Sequence, residues 1–347
     1  MINEIMNNEI ENFHTDLIKQ GLIESDINEQ LTKYSQSLLD KYSESFLERL
    51  IENGKTSIRE HKYEDDEFKC RLELRWYKAF DLLEILIGSS LEIIQDIHDE
   101  ETDDNISMFK ILKRLHARSI RVAKEVLILM RNGYADGALA RWRSLFEICA
   151  TVLFIDKYGK RVAKMYEEYQ SIETYNEMIE YQKRCEGLNF KPINDKDIYS
   201  ISTKKDELES KYSKRYCQTY GWTCEVFLAG QLSFARIVED IGFELWKPYY
   251  KMSCNSVHAG PKSLFYNIGL ADRQDILLVG PTNIGFVDPA QLTSISLTQI
   301  TTVLIKYASN YERLLVNNVL NILTTRLTDE FIRIQNEINE EEKKKNA

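Results

Sequence analysis

Residues that break helices are scarce in this chain, and their scarcity constrains the fold more than any other feature. Its 347 residues include only 14 Gly and 5 Pro. Sandwiches and barrels need such residues at frequent turns, whereas long helices exclude them from their interiors. Because 43% of the residues are hydrophobic and 29% are charged, the chain can bury a core and keep a solvated surface. We therefore predict an all-α bundle of long helices.

The spacing of apolar residues divides the chain into segments. An N-terminal helix is expected to end at Gly54, and a charged break over 61–67 separates it from a second long helix. The β-branched segment 276–287 is the one candidate for a short hairpin, and polar residues 189–221 predict a loop with one short helix. Further helices are expected at about 105–132, 136–158, 162–187, 224–240, 244–259 and 290–326.

These segments predict three regions. We expect an N-terminal helical arm over 1–65, a helical core over 66–326 and a solvated, charged C-terminal tail over 327–347.

The charge distribution is uneven. Fifty-five acidic residues against 45 basic ones give a net charge of −10, which argues against a general attraction to nucleic acid or anionic membrane. Residues 64–104 carry fourteen acids and four bases, and residues 105–143 carry nine bases and two acids. Two such segments are expected to pack as antiparallel helices with complementary faces.

The sequence also bears on compartment and cofactors. No segment approaches the ~20 apolar residues that cross a bilayer, and residues 1–4 lack the features of a signal peptide. The six cysteines are scattered, and the five histidines form no i, i+4 pair that could bind zinc. We expect a cytoplasmic protein without a metal or cofactor.

One predicted helix, within 136–158, is apolar around nearly its whole circumference and should lie at the centre of the bundle. It nevertheless carries Arg143 and Glu147, one turn apart. Buried charges are costly unless paired, and Arg before Glu is the weaker order for stabilising a helix. Two interpretations remain open: a buried salt bridge that sets helix register, or a polar site for an anion or a catalytic group.

A second polar concentration surrounds His258. This histidine lies in the last turn of a predicted helix, where the helix dipole favours a protonated imidazole. Tyr250, Ser253 and Asn255 lie nearby in sequence. His258 is either a structural histidine or part of a site, and Ser253 as its nucleophile is disfavoured because no G-x-S-x-G elbow is present.

Helical spacing also aligns basic residues over 110–121. This cationic stripe could guide a phosphate backbone or face the acidic segment. Its members are Lys110, Arg114, Arg118 and Arg121.

Two motifs resemble a known family. The first is Arg143-Ser144-Leu145-Phe146-Glu147, and the second runs from Tyr249 to His258 and follows the triplet Tyr220-Gly221-Trp222. Together they are similar to a bacterial helical family catalogued as domain of unknown function 5677, over roughly 107–311. The resemblance implies that Arg143, Glu147, Ser253 and His258 meet in one polar site.

A looser similarity is to HEPN-type helical ribonucleases, found among toxins and phage-defence effectors. These enzymes use an R-x(4–6)-H motif and complete their site across a dimer. No arginine precedes His258 at that spacing, so Arg143 would have to serve from another helix.

Two hypotheses follow. In the first, the chain is a scaffold or sensor whose polar site binds a small anion or fixes the core. We expect the chain to form a homodimer. In the second, it is a metal-independent ribonuclease: His258 is the acid or base, Arg143 stabilises the phosphorane and Glu147 positions one of them. A nuclease requires Arg143 and His258 within roughly 6 Å, in an open cleft continuous with Arg114 and Arg118, and a homodimer would favour it.

Overall fold

The computed structural model describes residues 11–12, 15–16, 18–19, 21, 27–95, 97, 106–270, 277–308 and 310–346. These residues form no β-strand, which confirms the all-α prediction. None of their helices is both long and apolar enough to cross a membrane. Nine α-helices are described: α1 Ile27–Gln95, α2 Ile106–Arg131, α3 Ala135–Tyr158, α4 Lys160–Arg184, α5 Asp195–Tyr212, α6 Phe234–Asp240, α7 Lys247–Asn255, α8 Val287–Tyr307 and α9 Tyr311–Asn346.

The chain divides into two compact units, residues 1–71 and 72–347. The core of the second unit surrounds α3, which packs against α2, α4, α6, α7 and α8. Trp142, Leu145, Phe146 and Cys149 of α3 are almost completely buried. The central position predicted for this helix is therefore observed. The predicted arm over 1–65 stays a prediction.

Helix α1 is continuous where two interruptions were expected, at Gly54 and over 61–67. The expectation was wrong because a helical glycine costs only about 1 kcal/mol relative to alanine. Charged residues are also good helix formers when they pair along one face. Arg71 lies 3.6 Å from Glu67, and Lys69 lies 3.9 Å from Asp66.

The C-terminal region differs from the expected single helix and solvated tail. The segment 290–326 is split between α8 and α9, and the side chain of Asn310 caps α9 by accepting a hydrogen bond from the backbone N–H of Arg313 at 2.8 Å. Helix α9 then continues through the residues expected as a tail. Its spacing of four, three and four residues places one apolar stripe in the core: Leu327, Phe331, Ile334 and Ile338 are buried.

The segments expected as helices over 224–240 and 244–259 are shorter than predicted. Only α6 and α7 form there, and single 3₁₀ turns precede them at Gly221–Thr223 and Glu244–Trp246. In the segment 189–221, α5 is longer than the short helix that was expected. No strand forms over 277–287, the described part of the segment that was expected as a hairpin. There the backbone N–H of Thr282 bonds to the carbonyl of Gly133 at 2.9 Å, rather than to a partner strand.

Among the residues that the structure describes, Arg131 shows the expected charge complementarity. Arg131, at the end of α2, lies 3.8, 3.4 and 2.8 Å from Glu73, Asp81 and Glu84 of α1. Arg131 thus joins the basic and acidic segments, while Arg114, Arg118 and Arg121 take no part in these pairs.

His116 is a buried histidine of α2 that the fold keeps neutral. Its Nε2 lies 3.0 Å from the hydroxyl oxygen of Thr301. That hydroxyl donates to the Leu297 carbonyl, so it accepts from the Nε2–H of the imidazole. The Nδ1 atom has no hydrogen-bond partner. Burial lowers the pKa of His116 to about 4, because a charged ring would leave a second N–H unpaired in the core.

This pKa predicts a pH-dependent stability. As pH falls from about 6.5 to about 4, the unfolded chain binds a proton at His116 that the folded chain does not. The free energy of unfolding should therefore decrease, by about 3 kcal/mol at pH 4 from this group alone. In His116→Gln, urea unfolding measured from pH 7 to pH 4 should show a shallower loss. His61→Gln is the control, because His61 is exposed. If the free energy of unfolding depends on pH equally in both variants, the prediction is contradicted.

Candidate functional site

Four side chains from separate parts of the chain meet at one edge of α3, and we call them the Arg–Glu–Tyr–His cluster: Arg143, Glu147, Tyr250 and His258. Arg143 Nε donates to Glu147 Oε1 and to the Tyr250 hydroxyl, both at 3.2 Å. The Tyr250 hydroxyl in turn donates to Glu147 Oε1 at 2.8 Å. His258 Nε2 lies 3.2 Å from Arg143 Nη1. The structure thus brings together the arginine, glutamate and histidine named from the sequence.

Local structure holds Tyr250 in this position. Pro248 lies in the first turn of the short helix α7, where a proline loses no helical hydrogen bond. The ring of Tyr250 then packs against Phe146 and Phe234, with centroids 5.6 and 5.3 Å apart. The guanidinium carbon of Arg143 lies 5.0 Å from the centre of the same ring. Aromatic packing therefore fixes the side chain that orients Arg143.

The cluster is open to solvent, whereas the sequence predicted a buried pair. The side chain of Arg143 is 24% exposed and that of Glu147 is 40% exposed, and His258 is exposed. Other helices cover most of α3, but the nine-residue α7 covers this edge only partly. A half-exposed ion pair contributes little to stability, so helix stability does not explain these residues.

Hydrogen bonding determines the protonation of the cluster. A guanidinium can only donate, so His258 Nε2 accepts and the imidazole in this contact is neutral. The sequence favoured a protonated ring, but His258 lies three residues beyond the end of α7, where the helix dipole has weakened, and faces a cation. Burial and the hydrogen bond to Glu147 raise the pKa of Tyr250, so its hydroxyl keeps its proton.

The remaining candidates near His258 have different surroundings. Ser253 is buried and donates to the Tyr250 carbonyl at 2.7 Å, so its hydroxyl is occupied within α7.

Asn255 and His258 both line a cavity of about 350 Å³. Asp136, which the sequence reasoning missed, lines the same cavity and accepts hydrogen bonds from the backbone N–H groups of Ile268 and Gly269 at 3.1 and 3.4 Å. It thereby holds the segment after His258 near α3.

The basic stripe does not extend into this cavity. Arg114 and Arg118 line a separate cleft of about 280 Å³ between α2 and α4, together with Tyr166 and Glu173. The two spaces share no lining residue. Arg121 is exposed and pairs with Glu125 at 3.2 Å. The continuity that the nuclease hypothesis required is therefore not observed.

Tyr220 lies near the cluster and was not named as a site residue. Its ring packs against Phe234 with centroids 6.3 Å apart, and Phe234 packs in turn against Tyr250 at 5.3 Å. Burial and the Glu147 carboxylate raise the pKa of the Tyr220 hydroxyl. Its backbone is left-handed, with φ of +59°. A Cβ on the following Gly221 would lie 1.8 Å from the carbonyl oxygen of Tyr216, so only glycine fits there. The triplet Tyr220-Gly221-Trp222 was the available signal.

These observations define a helical-bundle protein with a solvent-open Arg–Glu–Tyr–His cluster between its central helix and the α7 segment. The model of a family of unknown function, DUF5677, matches residues 109–275, a region that holds all four cluster residues. The matched region is just under half of the chain, and its similarity to this family agrees with what the two motifs indicated. No curated protein and no solved structure matches the chain. The similarity to HEPN-type ribonucleases gains no support from these comparisons.

The Tyr250 hydroxyl predicts a measurable stability difference. Tyr250→Phe removes the hydroxyl that donates to Glu147 and accepts a hydrogen bond from Arg143. The substitution should lower the free energy of unfolding by about 1 kcal/mol. Tyr249→Phe is the matched control, since its hydroxyl has no hydrogen-bond partner among the described residues. Urea unfolding followed by circular dichroism would test this, and equal midpoints for the two variants would contradict it.

Proposed function

We propose that the Arg–Glu–Tyr–His cluster binds the phosphate or another oxyanion group of a small ligand, and that the chain acts as a helical scaffold or sensor. The observation that carries this proposal is the presentation of Arg143. Its Nε and Nη1 are held by Glu147, Tyr250 and His258, while its Nη2 has no hydrogen-bond partner among the described residues. A partly exposed, oriented guanidinium is well suited to an oxyanion.

Preorganisation supports the same proposal. Glu147 and Tyr250 already restrict the rotamers of Arg143, so less side-chain entropy is lost when an anion binds. His258 fixes a second nitrogen of the same guanidinium, since its Nε2 lies 3.2 Å from Arg143 Nη1. Glu147 offsets part of the positive charge, so we expect moderate affinity and a preference for ligands with further contacts in the adjacent cavity.

Calorimetric titration with inorganic phosphate and with a nucleoside monophosphate tests the proposal. Arg143→Gln should weaken binding at least tenfold, because a hydrogen bond to a charged group contributes roughly 1.5–3 kcal/mol. His258→Ala should weaken it to a smaller extent, because Arg143 would still be oriented by Glu147 and Tyr250.

Arg121→Gln is the control, because it removes an exposed arginine of α2 that lies outside the cluster. Circular dichroism should show that all three variants fold. If neither ligand binds to the wild type, or if Arg121→Gln weakens binding as much as Arg143→Gln, the proposal is wrong.

A second candidate function is metal-independent cleavage of RNA, and the contact between Arg143 and a neutral, exposed His258 favours it. His258 Nε2 would take the proton of a ribose 2′-hydroxyl. The 2′-oxygen would attack the adjacent phosphorus, and the P–O5′ bond would break to give a 2′,3′-cyclic phosphate. The departing 5′-oxygen would receive a proton from the imidazolium, while Arg143 stabilised the charge of the phosphorane. Such an enzyme would suit a toxin or phage-defence effector.

Induced expression followed by analysis of total RNA tests this candidate. Wild-type protein should fragment RNA and leave cyclic phosphate ends, and folded His258→Ala and Arg143→Ala variants should leave RNA intact. Purified wild-type protein incubated with single-stranded RNA completes the experiment. Phosphate binding together with intact RNA in both assays would exclude cleavage and retain the binding proposal.

A further inference from the structure

The first half of α9 exposes apolar side chains in a pattern that suits association of two helices. Five of them, which we call the α9 stripe, are between 47% and 83% exposed: Tyr311, Leu314, Leu315, Val319 and Ile322. The opposite side of the same helix packs on α8, where Thr302 donates to Asn317 at 2.7 Å and Thr298 lies 2.9 Å from Thr324. The stripe therefore faces away from the helix that α9 contacts.

The exposed face of α9 that carries the stripe also has the spacing of a coiled-coil seam, which includes exposed Asn318 and Thr325. Tyr311, Leu315, Asn318, Ile322 and Thr325 recur at intervals of four, three, four and three residues. Side chains at this spacing stay on one face of a helix and interlock with the same pattern on a neighbouring helix. An asparagine within such a seam is a known determinant of register.

The charges at the two ends of the stripe indicate what covers it. Between 311 and 326 the charged residues are Glu312, Arg313 and Arg326. Arg313 turns back to the Ala308 carbonyl at 2.7 Å, whereas Glu312 and Arg326 are exposed and have no ion pair among the described residues. Val319 lies midway, seven residues from each.

This symmetry specifies an antiparallel partner of identical sequence. If a two-fold axis passes through Val319, Glu312 of one copy faces Arg326 of the second copy, and the reverse pair forms as well. Leu315 then lies opposite Leu323 of the second copy, one residue along the helix from Ile322 of that copy. A parallel arrangement would instead place like charges together at each end, which is unfavourable.

We propose that the α9 stripe binds the same stripe of a second copy of this chain, and that two Glu312–Arg326 pairs set the antiparallel register of the dimer. The proposal concerns a surface separate from the Arg–Glu–Tyr–His cluster and does not depend on its ligand. The stripe spans about 21 Å of helix between the two charges, so the contact is small and the dimer should dissociate at measurable concentrations.

Sedimentation velocity of the full chain over a range of concentrations tests the proposal. Ile322→Glu should raise the dissociation constant at least tenfold, because it places a carboxylate in the apolar seam of both copies. Glu312→Arg and Arg326→Glu should each weaken the dimer several-fold by opposing like charges. The double variant E312R/R326E restores opposite charges in reversed order and should recover most of the wild-type affinity.

Tyr199→Glu is the control, because it introduces the same charge at an exposed aromatic residue of α5. All substituted positions are exposed, so circular dichroism should show the wild-type helix content in each variant. A monomeric wild type at every concentration would overturn the proposal. A dimer unaffected by Ile322→Glu, or one that the double charge reversal does not restore, would overturn it equally, since either result places the contact elsewhere.

Discussion

The burial of α3 determines the geometry of everything around it. Trp142 and Phe146 are anchored in the core, where the indole N–H of Trp142 donates to Ser296 at 3.1 Å and Phe146 packs on Tyr250. Arg143 lies between them in sequence and therefore emerges at the edge that α7 covers incompletely. The packing around the cluster thus determines the positions of its side chains. The same aromatic contacts that stabilise the core also direct the guanidinium toward solvent.

Much of the central bundle could be predicted because its apolar residues repeat at helical spacing. The bounds of α2 and α3 agree closely with expectation, and the meeting of Arg143 with His258 was implied by the two family motifs. Features that depend on weaker local signals were missed. Gly54 does not end α1, because one glycine costs less than a continuous helix gains. The many charged residues near the C-terminus predicted a solvated tail, although Phe331 and the apolar residues spaced around it are buried.

The rest of the site could not be predicted because it depends on contacts between distant segments. The exposure of Arg143 reflects the shortness of α7, and sequence periodicity alone does not show how much surface a short helix covers. Asp136 reads as an ordinary acidic residue in the first turn of a helix, yet it holds a loop more than 130 residues away in sequence. The position of Tyr220 depends on a glycine whose role appears only when the Tyr216 carbonyl is in place.

The two halves of the cluster differ in how the chain supports them, and this has a kinetic consequence. Arg143 and Glu147 belong to the most enclosed helix of the bundle, so their amide hydrogens should exchange with solvent only through extensive unfolding. His258 belongs to a turn beyond a nine-residue helix, where the amide N–H bonds to the Cys254 carbonyl at 2.9 Å. Local opening can therefore separate the imidazole from a guanidinium that stays in place, so the cluster can be assembled and taken apart much faster than the protein unfolds.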